Sequence, residues 1–117
     1  MGDVQRRVLI VEDEPGLAEL FEIWLQSHFS VSTASDGREA LEAIDDNVAC
    51  IVLDWRMPEV SGEEVVAEIF KRDIECGIVV VTGLDPAVAN VDERVDTVLC
   101  KPIEEDALIT AVSDALV

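Results

Sequence analysis

The sequence predicts one α/β domain with a parallel sheet and helices on both faces. Short β-type runs alternate with segments whose apolar residues recur at three- and four-residue steps. The chain has 117 residues, half of them apolar, which is enough to bury a core without disulfides or structural metals. No linker, internal repeat or low-complexity stretch interrupts the pattern, so we expect a single domain over residues 1–117.

Five strands are predicted from runs rich in valine, isoleucine and other strand-forming residues. They are VLIV (8–11), VSTA (31–34), CIVL (50–53), IVVV (78–81) and TVLC (97–100). A helical pattern follows each run, so the chain consists of five βα units. Such units place their strands side by side and parallel.

The first helix is predicted from one apolar stripe between the first two strands. Its buried positions are expected to be Leu17, Leu20, Phe21, Trp24, Leu25 and His28. Trp24 is therefore assigned to the core. His28, the only histidine, is interpreted as a residue at the helix C-terminus, where the dipole favours a cation, and not as a metal ligand.

The next two helices begin at recognisable signals. Asp36-Gly37 ends the second strand segment, and Ser61 with Glu64 three residues later forms a capping box. The positions that these helices are predicted to bury are Ala40, Leu41 and Ile44 in the second helix and Val65, Val66, Ile69 and Phe70 in the third.

The fourth helix is predicted to be short. Asp85-Pro86 is suited to an N-cap and first helical residue, and the helix should end by residues 91–94. The apolar stripe of the last helix is Leu108, Val112, Ala115 and Leu116.

The charge balance is strongly acidic. Twenty-six acidic residues face eight basic ones, for a formal charge of −18, and repulsion on that scale is relieved by high salt. We therefore hypothesise a cytoplasmic protein of a salt-accumulating halophile. The charge argues against direct nucleic-acid binding, and no apolar run approaches the roughly 18 residues of a membrane span.

The three cysteines do not form a metal or redox motif. Cys50, Cys76 and Cys100 are odd in number, lack CxxC spacing and each lie at a strand edge. We interpret all three as small apolar side chains that fill space in the core.

Functional side chains are predicted to meet at one edge of the sheet. Glu12 and Asp13 follow the first strand, Asp54 the third, Thr82 the fourth and Lys101 the fifth. Residues just past the carboxyl ends of parallel strands meet in one crevice. Three carboxylates, a hydroxyl and an ammonium suit a divalent cation, a phosphoryl group and an attacking carboxylate.

The motifs VLIVEDEP, LDWRMPEVSG, VVVTG and LCKP resemble, in order and spacing, the receiver domains of two-component response regulators. This resemblance implies a flavodoxin-like fold with strand order 2-1-3-4-5. The segments LAELFEIWL, WRMPEVSGEEV and DIECGIVVVTGLDP are most similar to haloarchaeal receivers of the HalX type, which agrees with the charge.

The resemblance implies a magnesium site. Asp13 and Asp54 would bind Mg2+ directly together with the backbone carbonyl of Arg56, and Glu12 would act through a water molecule. Mg2+ prefers octahedral oxygen ligands and retains several waters, which agrees with this set.

The resemblance also implies that Asp54 is the phosphoacceptor. Lys101 and Thr82 would each contact a phosphoryl oxygen. The family places its lysine with a cis peptide bond, so we expect the bond between Lys101 and Pro102 to be cis. The phosphohistidine would belong to a sensor histidine kinase, and the domain itself would signal without being an enzyme in the ordinary sense.

Two departures from the family pattern concern output. Val98 occupies the position where receivers usually carry a switch aromatic, and the segment from Thr82 to Lys101 is about three residues short. Both departures fall on the face formed by the fourth helix, the fifth strand and the fifth helix. Many receivers dimerise through that face, so a homodimer is among the expected assemblies. Beside the site, Arg56 is expected to influence the lifetime of the phosphoaspartate and Trp55 to cover the mouth of the pocket.

Alternative functions remain open at this point. A phosphorylation-independent pseudo-receiver is compatible with Val98. An enzyme of the haloacid-dehalogenase class would need an acid two residues after its nucleophile, where Arg56 stands, and a nucleotide or flavin protein would need a glycine-rich loop that EDEPGLAEL does not supply. A C-terminal output domain, if one follows Val117, could act on transcription.

Overall fold

A computed structural model describes residues 6–83 and 90–116 and contains a five-stranded parallel sheet. The strands are β1 (Arg7–Val11), β2 (Ser30–Ala34), β3 (Cys50–Asp54), β4 (Gly77–Thr82) and β5 (Thr97–Cys100). Their order is β2-β1-β3-β4-β5, and every neighbouring pair is parallel. The flavodoxin-like prediction is confirmed.

The described residues contain four helices, of which three connect successive strands and the last follows β5. They are α1 (Pro15–Leu25), α2 (Gly37–Ala43), α3 (Gly62–Lys71) and α4 (Glu105–Ala115). The additional helix predicted from Asp85-Pro86 begins outside the described residues, and residues 90–96, which are described, form turns. None of the described helices has the length and apolar character that crossing a bilayer requires.

The predicted helix starts are present. The Asp36 carboxylate accepts a hydrogen bond from the Glu39 N–H at 2.8 Å and caps α2. Ser61 and Glu64 form the reciprocal capping box of α3, each side chain accepting the other's backbone N–H at 3.3 Å. These side chains satisfy N–H groups that a helix leaves unpaired at its N-terminus.

A hydrophobic core lies on each face of the sheet. On one face α2 and α3 pack through residues such as Ala40 and Ile69, and on the other α1 and α4 pack through Phe21 and Leu108. All residues of β3 and β4 are buried, as expected for central strands covered on both sides. The core therefore fixes the two central strands most firmly.

The predicted buried stripe of α1 is partly wrong. Phe21 and Leu25 are buried, but Leu20 is exposed and Trp24 is half-buried. Leu20 therefore does not belong to the stripe of α1 that faces the sheet. His28 is also exposed, and it is not at the helix C-terminus, because α1 ends at Leu25.

Two further burial predictions are wrong. Phe70 is exposed, and its ring is covered by the Arg94 guanidinium, whose central carbon lies 4.0 Å from the ring centroid. Cys50 is buried and Cys76 half-buried, but Cys100 is exposed because it ends the edge strand β5. Local periodicity does not distinguish an edge strand from a central one.

Candidate functional site

The carboxyl ends of four strands form a cleft of about 640 Å³. It is lined by Glu12, Asp13, Glu14, Pro15, Asp54, Arg56, Gly83 and Lys101. Thr82 ends β4 at the same edge, is completely buried and does not line the cleft. The structure thus brings the side chains of Glu12, Asp13, Asp54 and Lys101 together, and Thr82 lies at the same edge of the sheet.

Three carboxylates form the acidic side of the cleft. One oxygen from each of Glu12, Asp13 and Asp54 lies within 4.8 Å of the others. Glu12 and Asp54 are only 2% and 5% exposed, whereas Asp13 is exposed to solvent. Burying two carboxylates this close together is unfavourable unless a cation compensates their charge.

Lys101 supplies part of that compensation. Its Nζ atom lies 3.2 Å from Glu12 Oε1 and 3.6 Å from Asp54 Oδ2. The Lys101 backbone N–H donates to the Thr82 carbonyl at 2.7 Å, which extends the pairing of β5 with β4 by one residue. The peptide bond between Lys101 and Pro102 is cis, as expected.

The electrostatics of the cleft shift two pKa values. Burial, and then the negative charge of Glu12, raise the pKa of Asp54 from 3.8 to about 7, although the Lys101 ammonium acts in the opposite direction. Burial alone would lower the pKa of Lys101, but the charges of Asp54 and Glu12 raise it above its ordinary value. The site therefore favours an additional positive charge beside Asp54.

The donor set fits a hard divalent cation such as Mg2+. Glu12 Oε1 is buried, contacts the Lys101 ammonium and accepts no hydrogen bond of normal geometry. The lining of the cleft contains four carboxyl groups against the two cations Arg56 and Lys101, and the clustered side chains of Glu12, Asp13 and Asp54 offer only oxygen atoms as ligands. Carboxylate oxygens and water are the ligands that Mg2+ prefers.

Backbone hydrogen bonds position the acidic residues. The Glu12 N–H donates to the Ala34 carbonyl at 3.1 Å, and Glu12 Oε2 accepts the Glu14 N–H at 3.2 Å. The Arg56 N–H donates to Asp54 Oδ1 at 3.3 Å, which holds the carboxylate against the loop that leaves β3. Arg56 itself is exposed and lines the cleft.

The expectation that Trp55 covers the mouth of the pocket is wrong. Trp55 is buried in the core between the sheet and α3, and it does not line the cleft. Its N–H donates to the Val81 carbonyl at 3.0 Å, which continues the β3 and β4 pairing and turns the indole inward. A large apolar side chain gains more from that core than from solvent.

Gly62 is a site-supporting residue that the sequence analysis missed. A Cβ atom at Gly62 would lie 2.8 Å from the Asp54 carbonyl oxygen and 2.8 Å from Trp55 Cα. No side chain fits there without moving the backbone next to the phosphoacceptor candidate. The available signal was a glycine at the first helical position, where alanine has the higher helix propensity.

Comparison with known proteins shows that this chain is similar to response regulator receiver domains. A sequence model described as "Response regulator receiver domain" matches residues 8–113. A Haloferax volcanii protein described as a candidate transcriptional regulator is 38% identical over 111 residues, covering 94% of this chain and 19% of that protein. The transcriptional regulatory protein GlrR of Escherichia coli K12 is 36% identical over 121 residues, covering 99% of this chain and 27% of GlrR. The chain therefore spans about a fifth to a quarter of the length of these curated relatives.

Solved structures show the same architecture. The response regulator protein TrrA of Thermotoga maritima, crystallised in complex with Mg2+ and BeF, superposes with a TM-score of 0.85. It is 32% identical, and the alignment covers 95% of this chain and 99% of TrrA.

Proposed function

Because the chain belongs to the response regulator receiver domain family, we propose that it accepts a phosphoryl group on Asp54 from a sensor histidine kinase. The observation that carries this proposal is the geometry around Asp54. Its buried carboxylate lies beside two further carboxylates and 3.6 Å from the Lys101 ammonium. Family membership also removes the haloacid-dehalogenase alternative.

The proposed reaction is a direct transfer between two proteins. An oxygen of the ionised Asp54 carboxylate attacks the phosphorus atom, and an O–P bond forms as the N–P bond of phosphohistidine breaks. The bonding electron pair returns to the imidazole nitrogen of the kinase. The product is an acyl phosphate on Asp54, which water can later hydrolyse.

The other side chains of the cleft have complementary roles in this proposal. The Lys101 ammonium, which now contacts Asp54 and Glu12, would contact a phosphoryl oxygen instead. The Thr82 hydroxyl at the end of β4 would donate to another phosphoryl oxygen. Arg56, exposed at the rim, would influence how readily water reaches the phosphoaspartate.

Mg2+ is the proposed cofactor. When bound, it neutralises negative charge that accumulates on the phosphoryl group during transfer. Asp13 and Asp54 would be direct ligands together with the Arg56 carbonyl, and Glu12 would act through water. The buried Glu12 oxygen that accepts no hydrogen bond supports this assignment.

For the whole protein we propose a cytoplasmic haloarchaeal regulator of the HalX type, with residues 1–117 as its receiver domain. Support comes from the 38% identity to the Haloferax volcanii protein and from the formal charge of −18. Because the curated relatives are much longer than this chain, an output domain that controls transcription, as their names suggest, is part of the proposal.

A second candidate function is a receiver that binds partners without phosphorylation. It is favoured by Val98, which packs half-buried against the core where an aromatic switch residue would otherwise be placed.

Intact-mass measurement distinguishes the two candidates. The chain would be incubated with a small phosphodonor and Mg2+ in concentrated KCl, which screens its acidic surface. We expect one added phosphoryl group that requires Mg2+ and is absent from Asp54→Asn. Asp36→Asn is the matched control, because it removes the same charge and asparagine still caps α2.

Two results would contradict the phosphoacceptor proposal. One is a folded wild-type protein that gains no phosphoryl group, which would favour the phosphorylation-independent function. The other is an adduct that persists in Asp54→Asn, which would place the modification elsewhere.

A further inference from the structure

The segment from Ala34 to Gly37, here called the β2–α2 turn, contacts both loops that carry the proposed metal ligands. At one end, the Ala34 carbonyl accepts the Glu12 N–H at 3.1 Å. At the other end, Gly37 lies directly against Val60 in the loop that follows Asp54. We infer that Gly37 is a positioning residue of the metal site, an inference that rests on the proposed function.

The contact between Gly37 and Val60 leaves no room for a side chain. A Cβ atom at Gly37 would overlap the Val60 carbonyl oxygen and lie 2.7 Å from both Val60 Cβ and Cγ1. The overlap with a backbone atom cannot be relieved by a side-chain rotation. Either α2 or the loop after β3 must move to accommodate even one methyl group.

Space, and not backbone conformation, explains the glycine. None of the described glycines has a positive φ, so Gly37 adopts a conformation open to other residues. It occupies the first position of α2, where alanine would have the higher helix propensity. The close approach of Val60 is therefore the physical reason for glycine at this position.

The loop that would be displaced is attached to Asp54 on its other side. The Trp55 N–H donates to Val81, and the Gly62 N–H donates to the Trp55 carbonyl at 3.0 Å, so both ends of the loop are fixed. Between these ends, Val60 packs half-buried against the core and Arg56 donates to Asp54 Oδ1. A displacement of Val60 is expected to shift the loop around Arg56, whose carbonyl is a proposed ligand.

The β2–α2 turn is itself well defined. Glu39 accepts hydrogen bonds from both the N–H and the hydroxyl of Ser35 at 3.0 Å, in addition to the Asp36 cap. The turn therefore acts as a fixed spacer between Glu12 and the loop after Asp54. Mg2+ tolerates little deviation from octahedral geometry, and misplacement of a site by about 1 Å can reduce its function about a hundredfold.

The test is the affinity of the 117-residue chain for Mg2+ alone, measured by calorimetric titration in concentrated KCl. We expect Gly37→Ala to bind Mg2+ about tenfold more weakly than wild type. Gly16→Ala is the matched control in a helix, since a Cβ atom at Gly16 would meet no atom within 4 Å. Its affinity should equal that of wild type.

Gly77→Ala controls for general destabilisation. A Cβ atom at Gly77 would overlap the Ala115 carbonyl at the opposite end of β4, far from the cleft. This variant should unfold at lower urea concentration than wild type, yet its folded form should keep the wild-type Mg2+ affinity. A merely structural role for Gly37 would give the same pattern as Gly77, with lower stability and unchanged affinity, and would overturn the inference.

Two further outcomes are decisive. If wild type itself does not bind Mg2+, the proposed function fails and the inference fails with it, which is distinguishable from a loss confined to Gly37→Ala. If Gly37→Ala does not fold, Val60→Ala provides the test, because it removes the γ-carbon beside Gly37. We expect Val60→Ala to bind Mg2+ several-fold more weakly than wild type. Val31→Ala, which truncates a half-buried valine of β2, should keep the wild-type Mg2+ affinity. Equal affinities of the two variants would overturn the inference.

Discussion

The strands β3 and β5 both end at the cleft, but they hold their functional residues very differently. Every residue of β3 is buried between β1 and β4, and Asp54 is 5% exposed. No residue of β5 is buried, the strand lies at the edge of the sheet, and the Lys101 side chain is 26% exposed. The structure thus combines a fixed, desolvated carboxylate with a cation that retains contact with water.

This difference suits the proposed reaction. The nucleophile must keep one position, and the central strand provides it through packing on both faces. The lysine must exchange its contact with Asp54 for a contact with a phosphoryl oxygen, and a flexible side chain just after an edge strand can do so at little cost. The comparison therefore predicts a rigid β3 and an adaptable β5.

The largest expected difference between the two strands is in thiol reactivity. Cys50 begins β3 in the core, where burial raises its pKa to about 12, whereas Cys100 ends β5 in solvent. Iodoacetamide should modify Cys100 at least about a thousandfold faster than Cys50, because attack requires an accessible thiolate. Intact mass should show one rapid adduct.

The Cys100→Ser variant identifies that adduct. It should lose the rapid phase, while Cys50→Ala should retain it. Rapid modification of Cys50 in native conditions would mean that β3 opens often, which contradicts a rigid central strand.

Truncation of one valine in each strand compares their packing directly. Val52 of β3 is fully buried, and Val98 of β5 is half-buried. We expect Val52→Ala to lower the free energy of unfolding by about 2 to 3 kcal/mol and Val98→Ala by about 1 kcal/mol, from lost apolar burial and cavity formation. Urea unfolding followed by tryptophan fluorescence measures both values. Equal losses would mean that β5 is packed as firmly as β3.

Much of this architecture could be predicted from sequence because it depends on local patterns. The strand runs, the Ser61 capping box and the placement of Asp54 and Lys101 after strands need only short-range periodicity and the general properties of parallel sheets. These local patterns are sufficient to predict the order of strands and helices along the chain and the residues that form the site.

The predictions that were wrong depend on contacts between distant parts of the chain. Trp55 faces the core because α3 packs over it, whereas Phe70 stays outside the core and its ring contacts Arg94 from another loop. Gly37 reads locally as a turn residue, and its proximity to Val60 appears only when α2 and the loop after β3 are placed together. Spacing along a sequence carries no information on such pairs.

Neutralising the buried carboxylate should stabilise the domain without Mg2+. The raised pKa of Asp54, about 7 against 3.8 when unfolded, means that the folded protein binds a proton more tightly than the unfolded chain. This contribution to stability is therefore lost as pH rises from about 4 to about 7. At pH 8 with a chelator, Asp54→Asn should be more stable than wild type by about 2 kcal/mol, and the difference should vanish near pH 4.

The control for this pH dependence is Asp36→Asn, whose free energy of unfolding should differ from wild type by less than about 0.5 kcal/mol at pH 8. It reports the effect of one charge on so acidic a surface, while α2 keeps a side chain that can cap it. If Asp54→Asn were less stable than wild type at pH 8, the burial of Asp54 would not carry the cost proposed here.

The smallest expected effect concerns the adaptable cation. Lys101→Ala leaves Glu12 and Asp54 without their ammonium partner, so without Mg2+ the free energy of unfolding should fall by about 1 kcal/mol, a modest value because the lysine is partly solvated. Lys71→Ala, an exposed lysine at the end of α3, should show no comparable loss. Mg2+ should bind Lys101→Ala several-fold more tightly than wild type, because the ammonium no longer competes for Glu12 Oε1. Weaker Mg2+ binding by Lys101→Ala would instead show that the lysine orders the carboxylates, and β5 would then be as much a fixed part of the site as β3.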